Sequence, residues 1–88
     1  MKTVMLLGGT KGVGNEILKS CLNKGYNVAF CGRDENLGNQ IIESSECKDH
    51  LYFHKIDLNS INGIEDYYNQ TIERFKKIDA LIIYAGIT

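Results

Sequence analysis

The sequence predicts an α/β fold in three layers, with a parallel sheet between helices. Two observations carry this. Short, nearly continuous apolar runs, "TVMLL" at 3–7, "VAFC" at 28–31 and "ALIIYA" at 80–85, suit strands buried on both faces of a parallel sheet. Helical patterns lie between the runs, and the resulting order β-α-β-α-β-α-β calls for right-handed parallel crossovers. With 88 residues, the chain has material for one small domain with a thin core. Residues 1–88 are therefore read as a single domain.

Each element has its own signal. Thr3 to Leu7 form the first strand. Val13, Ile17, Leu18, Cys21 and Leu22 recur at helical spacing, and Gly25 follows as a C-terminal cap. Val28 to Cys31 form the second strand. Leu37 and Ile41 mark a weaker helix starting near Asp34. Leu51 to Ile56, "LYFHKI", is a more polar strand and is expected at a sheet edge. Ile61, Ile64, Tyr68, Ile72 and Phe75 mark one face of a longer helix, with Asn62 and Glu65 as its capping pair. Tyr68 is expected against the sheet and Tyr67 at the helix flank.

Composition excludes several functions. Hydrophobic residues make up 43% and charged residues 24%, as in a folded globular chain rather than a disordered one. A net charge of -1 leaves no basic excess for nucleic acid and no polybasic block for anionic lipid. No apolar run approaches the ~20 residues that span a bilayer, and Met1-Lys2-Thr3 does not open a signal peptide. Neither nucleic acid nor a membrane is expected as a partner. Cys21, Cys31 and Cys47 have no motif spacing and read as free thiols of a cytoplasmic protein. Cys47, His50, His54 and Asp57 invite a metal reading. On a strand, however, four residues span about 13 Å, so no metal site is expected.

The chemistry-bearing stretch is "GGTKGVG", residues 8–14, between the first strand and the first helix. Backbone N–H groups at a helix N-terminus bind phosphate oxygens well, provided side chains do not block the approach. Gly8, Gly12 and Gly14 give the spacing G-x-x-x-G-x-G: a tight turn, close ligand approach and close helix packing. Lys11 lies inside this loop, either within reach of a ligand phosphate or simply solvated. A dinucleotide site usually places a carboxylate at the end of the second strand, ~20 residues on, for the ribose 2′-hydroxyl. Here the strand ends "AFCGRDE". Gly32 occupies the expected carboxylate position and Arg33 follows, which suits a 2′-phosphate. Asp34 is either a ribose ligand or the N-cap of the next helix.

These residues resemble the short-chain dehydrogenase/reductase family, a Rossmann-like fold. The family motif T-G-x-x-x-G-x-G is matched by "LGGTKGVG", with Leu7 in the threonine place. In NADP-preferring members a basic residue precedes the second glycine and an arginine follows the second strand; Lys11 and Arg33 match both. "IDL" supplies Asp57 and Leu58, which by resemblance hold the adenine. "IERFKKIDALII" resembles the family pattern entering strand four, and "IYAGIT" keeps Ala85 and Gly86 of the family's Asn-Asn-Ala-Gly. Ile83 and Tyr84 replace the two asparagines.

The resemblance implies strand order 3-2-1-4 and a cofactor site made of Gly8, Thr10, Lys11, Gly12, Val13, Gly14, Arg33, Asp57, Leu58, Ala85 and Gly86. NADP(H) is expected in preference to NAD(H). The family's chemistry uses a serine and a Tyr-x-x-x-Lys pair. Residues four after Tyr26, Tyr52, Tyr67, Tyr68 and Tyr84 are Phe30, Ile56, Thr71, Ile72 and Thr88, and none is lysine. The sequence thus reads as the cofactor-binding front half of a reductase, inactive by itself. The alternatives are a non-catalytic nucleotide-binding or interaction module and a truncated fragment. Strand four, apolar on both faces at a sheet edge, is expected to self-associate or to pair with a partner chain.

Overall fold

A computed structural model of the chain describes residues 1–56 and 61–83. Its elements are β1 (Thr3–Gly9), α1 (Gly12–Asn23), β2 (Asn27–Gly32), α2 (Glu35–Glu43), β3 (Leu51–Lys55), α3 (Ile61–Phe75) and β4 (Ala80–Ile83), with a 3-10 turn at Lys48–His50 before β3. The strands are parallel and ordered β3-β2-β1-β4.

Alternation along the central strands explains the continuous apolar runs. Val4 and Leu6 of β1 and Val28 and Phe30 of β2 face one core, with Leu18 and Cys21 of α1 and Leu51 of β3. Ile41 and Ile42 of α2 pack on this same core. Met5, Ala29 and Cys31 face the other core, closed by Tyr67, Ile64 and Phe75 of α3. Helices α1 and α2 therefore cover one face and α3 the other, and a strand between two cores needs apolar residues at every position.

The ends of the elements follow local chemistry. Gly25 takes φ +81 after α1. Its N–H donates to Leu22 O, and that of Tyr26 donates to Cys21 O. This Schellman pair confirms the expected cap. Asp34 caps α2, its Oδ1 accepting from the Leu37 N–H at 3.1 Å. Gly38 lets α2 approach β3: a Cβ there would stand 2.5 Å from ring atoms of Phe53. Strand β3 ends at Lys55, one residue earlier than expected. Ile56 is still buried, and its N–H donates to Gly32 O at 2.9 Å.

Helix α3 corrects two expectations. Asn62 and Glu65 lie inside it rather than at its cap. Its buried residues are Tyr67 and Thr71, whereas Tyr68 is 51% exposed and Ile61 82%. The Tyr67 hydroxyl donates to Leu6 O at 2.6 Å, so the buried tyrosine is the one whose polar tip finds a partner. Thr71 is accommodated because its hydroxyl donates back to Tyr67 O.

Strand β4 is tied on at its start. Thr3 N–H donates to Asp79 Oδ2 at 2.7 Å and Asp79 N–H donates to Thr3 O at 2.8 Å. Beyond that clamp β4 pairs with β1 from Val4↔Ala80 to Leu7↔Ile83. Among the described residues no strand pairs with its outer side, and Leu81 and Ile83 are exposed. Among the described residues no helix is long and apolar enough to cross a membrane.

Candidate functional site

The carboxyl ends of β1 and β2 lie side by side, paired as Gly9↔Cys31. The chain leaves β1 through three glycines in the left-handed half of φ: Gly8 (+119), Gly9 (+111) and Gly12 (+58). Gly9 is tightly enclosed. A Cβ there would meet Phe30 Cβ at 3.0 Å and Leu6 Cδ1 at 3.2 Å. The spacing G-x-x-x-G-x-G assigns the turn to Gly8, Gly12 and Gly14, whereas the backbone also relies on Gly9, whose signal is the Gly8-Gly9 doublet. Among the described residues nothing lies within 4 Å of the place where a Cβ on Gly12 would be. Gly14 is buried in the first turn of α1.

Helix α1 starts without a side-chain cap and without an acidic residue in its first turn. Lys11 is its N-cap residue, in extended conformation. Among the described residues the leading N–H groups of α1 are therefore not claimed by a capping side chain, in contrast to those of α2. Asn15 Nδ2 donates to Gly9 O at 3.2 Å and holds the turn against the helix. Sequence reasoning had given Asn15 no role.

Lys11 and Arg33 are exposed, and among the described residues neither makes an ion pair. The described pairs join Lys48 to Glu43 and Lys77 to Asp79. Thr10, just before Lys11, packs over Gly32, just before Arg33: its Cγ2 stands 3.1 Å from where a Gly32 Cβ would lie. The two cations thus follow two residues in contact at adjacent strand ends. Asp34, left open by the sequence, is the α2 N-cap. Val13, called as a cofactor contact, is 53% exposed at the start of α1.

Beneath the turn lies a polar cluster within the α3-side core. The Gly8 N–H donates to Cys31 Sγ at 3.3 Å, and Cys31 Sγ lies 3.6 Å from Leu6 O, which also accepts from Tyr67. Burial pushes the Cys31 thiol up to about 11 and raises the Tyr67 hydroxyl well above its ordinary value. His54 stacks on Tyr67 with ring centroids 5.4 Å apart, and its Nδ1 is 2.7 Å from the Tyr52 hydroxyl. His50 instead meets Asn27 Oδ1 at 2.8 Å, so the two histidines serve different partners. Among the described residues no group of three His, Cys, Asp or Glu is placed to hold a metal ion. Asp57, Leu58, Ala85 and Gly86 lie outside the described residues.

Residues 2–88 match the family model for short chain dehydrogenases. Among curated proteins, the chain is 33% identical over 88 residues to a 3-oxoacyl-(acyl-carrier-protein) reductase of Chlamydia pneumoniae, covering 99% of this chain and 36% of that protein. It is 33% identical over 89 residues to (+)-neomenthol dehydrogenase of Capsicum annuum, covering 96% of this chain and 28% of the relative. Among solved structures, the NADPH-bound Y152F variant of ElxO superimposes with TM-score 0.88 at 25% identity, over 99% of this chain and 36% of that one. The chain spans about a third of the length of these relatives. With the strand order, the glycine turn and the family match in agreement, the chain belongs to the short-chain dehydrogenase/reductase family.

Proposed function

We propose that this chain binds NADP(H), in preference to NAD(H), as the N-terminal, cofactor-binding portion of a short-chain reductase. Gly8, Thr10, Lys11, Gly12, Val13 and Gly14 would cradle the phosphates at the start of α1. Lys11 and Arg33 would meet the 2′-phosphate. By family resemblance Asp57 and Leu58 would hold the adenine, with Ala85 and Gly86 beside the cofactor. The dinucleotide, when bound, would donate a hydride to a carbonyl substrate in its reduced form or accept one from an alcohol in its oxidised form, and this transfer is the parent activity.

The observation that carries the reading is the pairing of an uncapped helix start with two cations free of ion pairs among the described residues, beside a strand end where Gly32 replaces a carboxylate. A carboxylate there would repel a 2′-phosphate, and a guanidinium attracts it. The NADPH bound in the ElxO variant is in keeping with this. Three free thiols, two of them buried, are in keeping with a cytoplasmic setting.

Titration calorimetry with both cofactors tests the assignment. NADPH should bind at least about tenfold more tightly than NADH, since each charge-assisted contact contributes about 1.5–3 kcal/mol before solvent screening. Arg33→Ala should remove most of that preference. Equal affinities, or a preference unchanged in Arg33→Ala, would falsify it.

A second reading, a non-catalytic module that binds a partner chain, is favoured by one feature. Leu81 and Ile83, 55% and 69% exposed, line an open strand edge, a surface suited to a second copy or a partner strand.

A further inference from the structure

We infer that Cys31 is a positioning residue for the glycine turn: its thiol stands in for missing backbone pairing between β1 and β2 and so fixes the Gly8 peptide. The consequence for a ligand rests on the dinucleotide reading above; the positioning itself does not.

The register shows why a side chain is needed. Strands β1 and β2 pair regularly from Thr3↔Asn27 to Met5↔Ala29, and the next pair is Gly9↔Cys31. Four residue steps on β1 therefore face two on β2, and the regular ladder breaks over Leu6 to Gly8. A buried peptide group without a partner is costly, by about 1–3 kcal/mol. Cys31 meets both ends of the gap. Its sulfur accepts from the Gly8 N–H at 3.3 Å, and its S–H is directed to Leu6 O at 3.6 Å.

Donating to Leu6 O needs the protonated thiol. Burial supplies it, since Cys31 is wholly buried and its pKa is pushed up to about 11. Tyr67 donates to the same Leu6 carbonyl from α3. The turn is thereby held from below by two side chains of the α3-side core. With Gly8 at φ +119 and no side chain of its own, this peptide takes its direction from the Cys31 contact. Asn15 holds the next carbonyl, that of Gly9, from the α1 side.

Amide hydrogen exchange resolved to single residues, on the full chain at low micromolar concentration without cofactor, tests the assignment. Cys31→Ala removes both contacts. Gly8 N–H exchange should accelerate about tenfold beyond any change at Val28 and Ala29, which report global opening. Cys31→Ser keeps a donor and an acceptor and should restore most of the Gly8 protection. Gly8 exchange that rises no more than that of Val28 and Ala29, or Cys31→Ser behaving as Cys31→Ala, would overturn the inference. If the exchange pattern holds, NADPH titration should show affinity weakened about 3- to 10-fold in Cys31→Ala and near wild type in Cys31→Ser. A wild-type chain that shows the exchange pattern but binds no dinucleotide would leave the positioning role standing and defeat the cofactor reading alone.

Discussion

The Thr10 methyl group occupies the space that a side chain at Gly32 would need, 3.1 Å from the position of its Cβ. The small residue that ends β2 is therefore favoured by a neighbour in the glycine turn as well as by any ligand. Gly32→Asp should be destabilising by about 1–3 kcal/mol through overpacking, and Thr10→Ala should relieve it. In a double-mutant cycle by urea denaturation, the two changes should couple by about 0.5–1.5 kcal/mol. Strict additivity would show that Thr10 turns aside freely. If the site takes a dinucleotide, the double variant should also shift preference from NADPH toward NADH, because a carboxylate then faces the 2′ position.

Gly38→Ala should destabilise the fold, against the usual helix rule. Replacing glycine by alanine inside a helix ordinarily gains about 1 kcal/mol. Here the new methyl would meet the Phe53 ring at 2.5 Å. That ring is itself packed against Phe30, centroids 5.2 Å apart, so its retreat disturbs the core. A net loss of about 1–3 kcal/mol is expected, read as a lower thermal midpoint. A raised midpoint would mean that Phe53 finds another rotamer at little cost.

The apolar runs made the strands legible because each central strand lies between two cores. The same rule made the helices legible only coarsely. Tyr67 and Tyr68 are adjacent and equally apolar, and both fit a helical stripe through Ile64 and Phe75. What decides between them is a hydroxyl partner at Leu6 O, 61 residues earlier in sequence, which no local pattern contains. Asn62 and Glu65 imitate a capping box, yet the helix already runs through them. At the site, Lys11 and Arg33 were legible as charges in a motif. The bonds made by Asn15 and Cys31 were not, because polar groups of ordinary type acquire those roles only once the turn has folded back on α1 and the strands are paired. Asp79 was invisible for the same reason, its partner being Thr3 at the other end of the chain.

Acid should weaken the fold through His54. Burial lowers its pKa below the ordinary 6.5, with Asp66 opposing. Its ring faces Tyr67 and Tyr52. The Tyr52 hydroxyl lies 2.7 Å from His54 Nδ1, and in this part-buried place between two tyrosine rings the charged imidazole loses hydration that the neutral ring does not need. A His whose folded pKa is depressed binds fewer protons folded than unfolded. Its contribution is present above 6.5 and is lost as pH falls through the folded value. Urea denaturation between about pH 7 and pH 5 should show declining stability, with a shallower slope in His54→Gln. The same slope in both proteins would place the acid sensitivity elsewhere.

The open edge of β4 should make the chain associate. Leu81 and Ile83 are exposed in a strand with no charged or proline residue from Ala80 to Ile83 to deter pairing. Sedimentation velocity should show species heavier than a monomer whose share grows with concentration, and Ile83→Lys should reduce them. A wild-type chain that stays monomeric at high concentration would contradict this.

The clamp between Thr3 and Asp79 also sets a timetable for synthesis. Strand β1 emerges from the ribosome before the other three strands, yet it lies inside the finished sheet, between β2 and β4. Its neighbour β2 follows within a few turns of chain, while the bonds that dock β4 wait on residues 76 positions later. Contacts so distant in sequence close late and slowly. Throughout that interval the second edge of β1, where Leu6 and Leu7 later meet Ile82 and Ile83, is a bare template for other nascent chains. Chaperone demand should therefore be greatest before β4 emerges, and a ribosome stalled just short of Ala80 would display the most adhesive form of this protein.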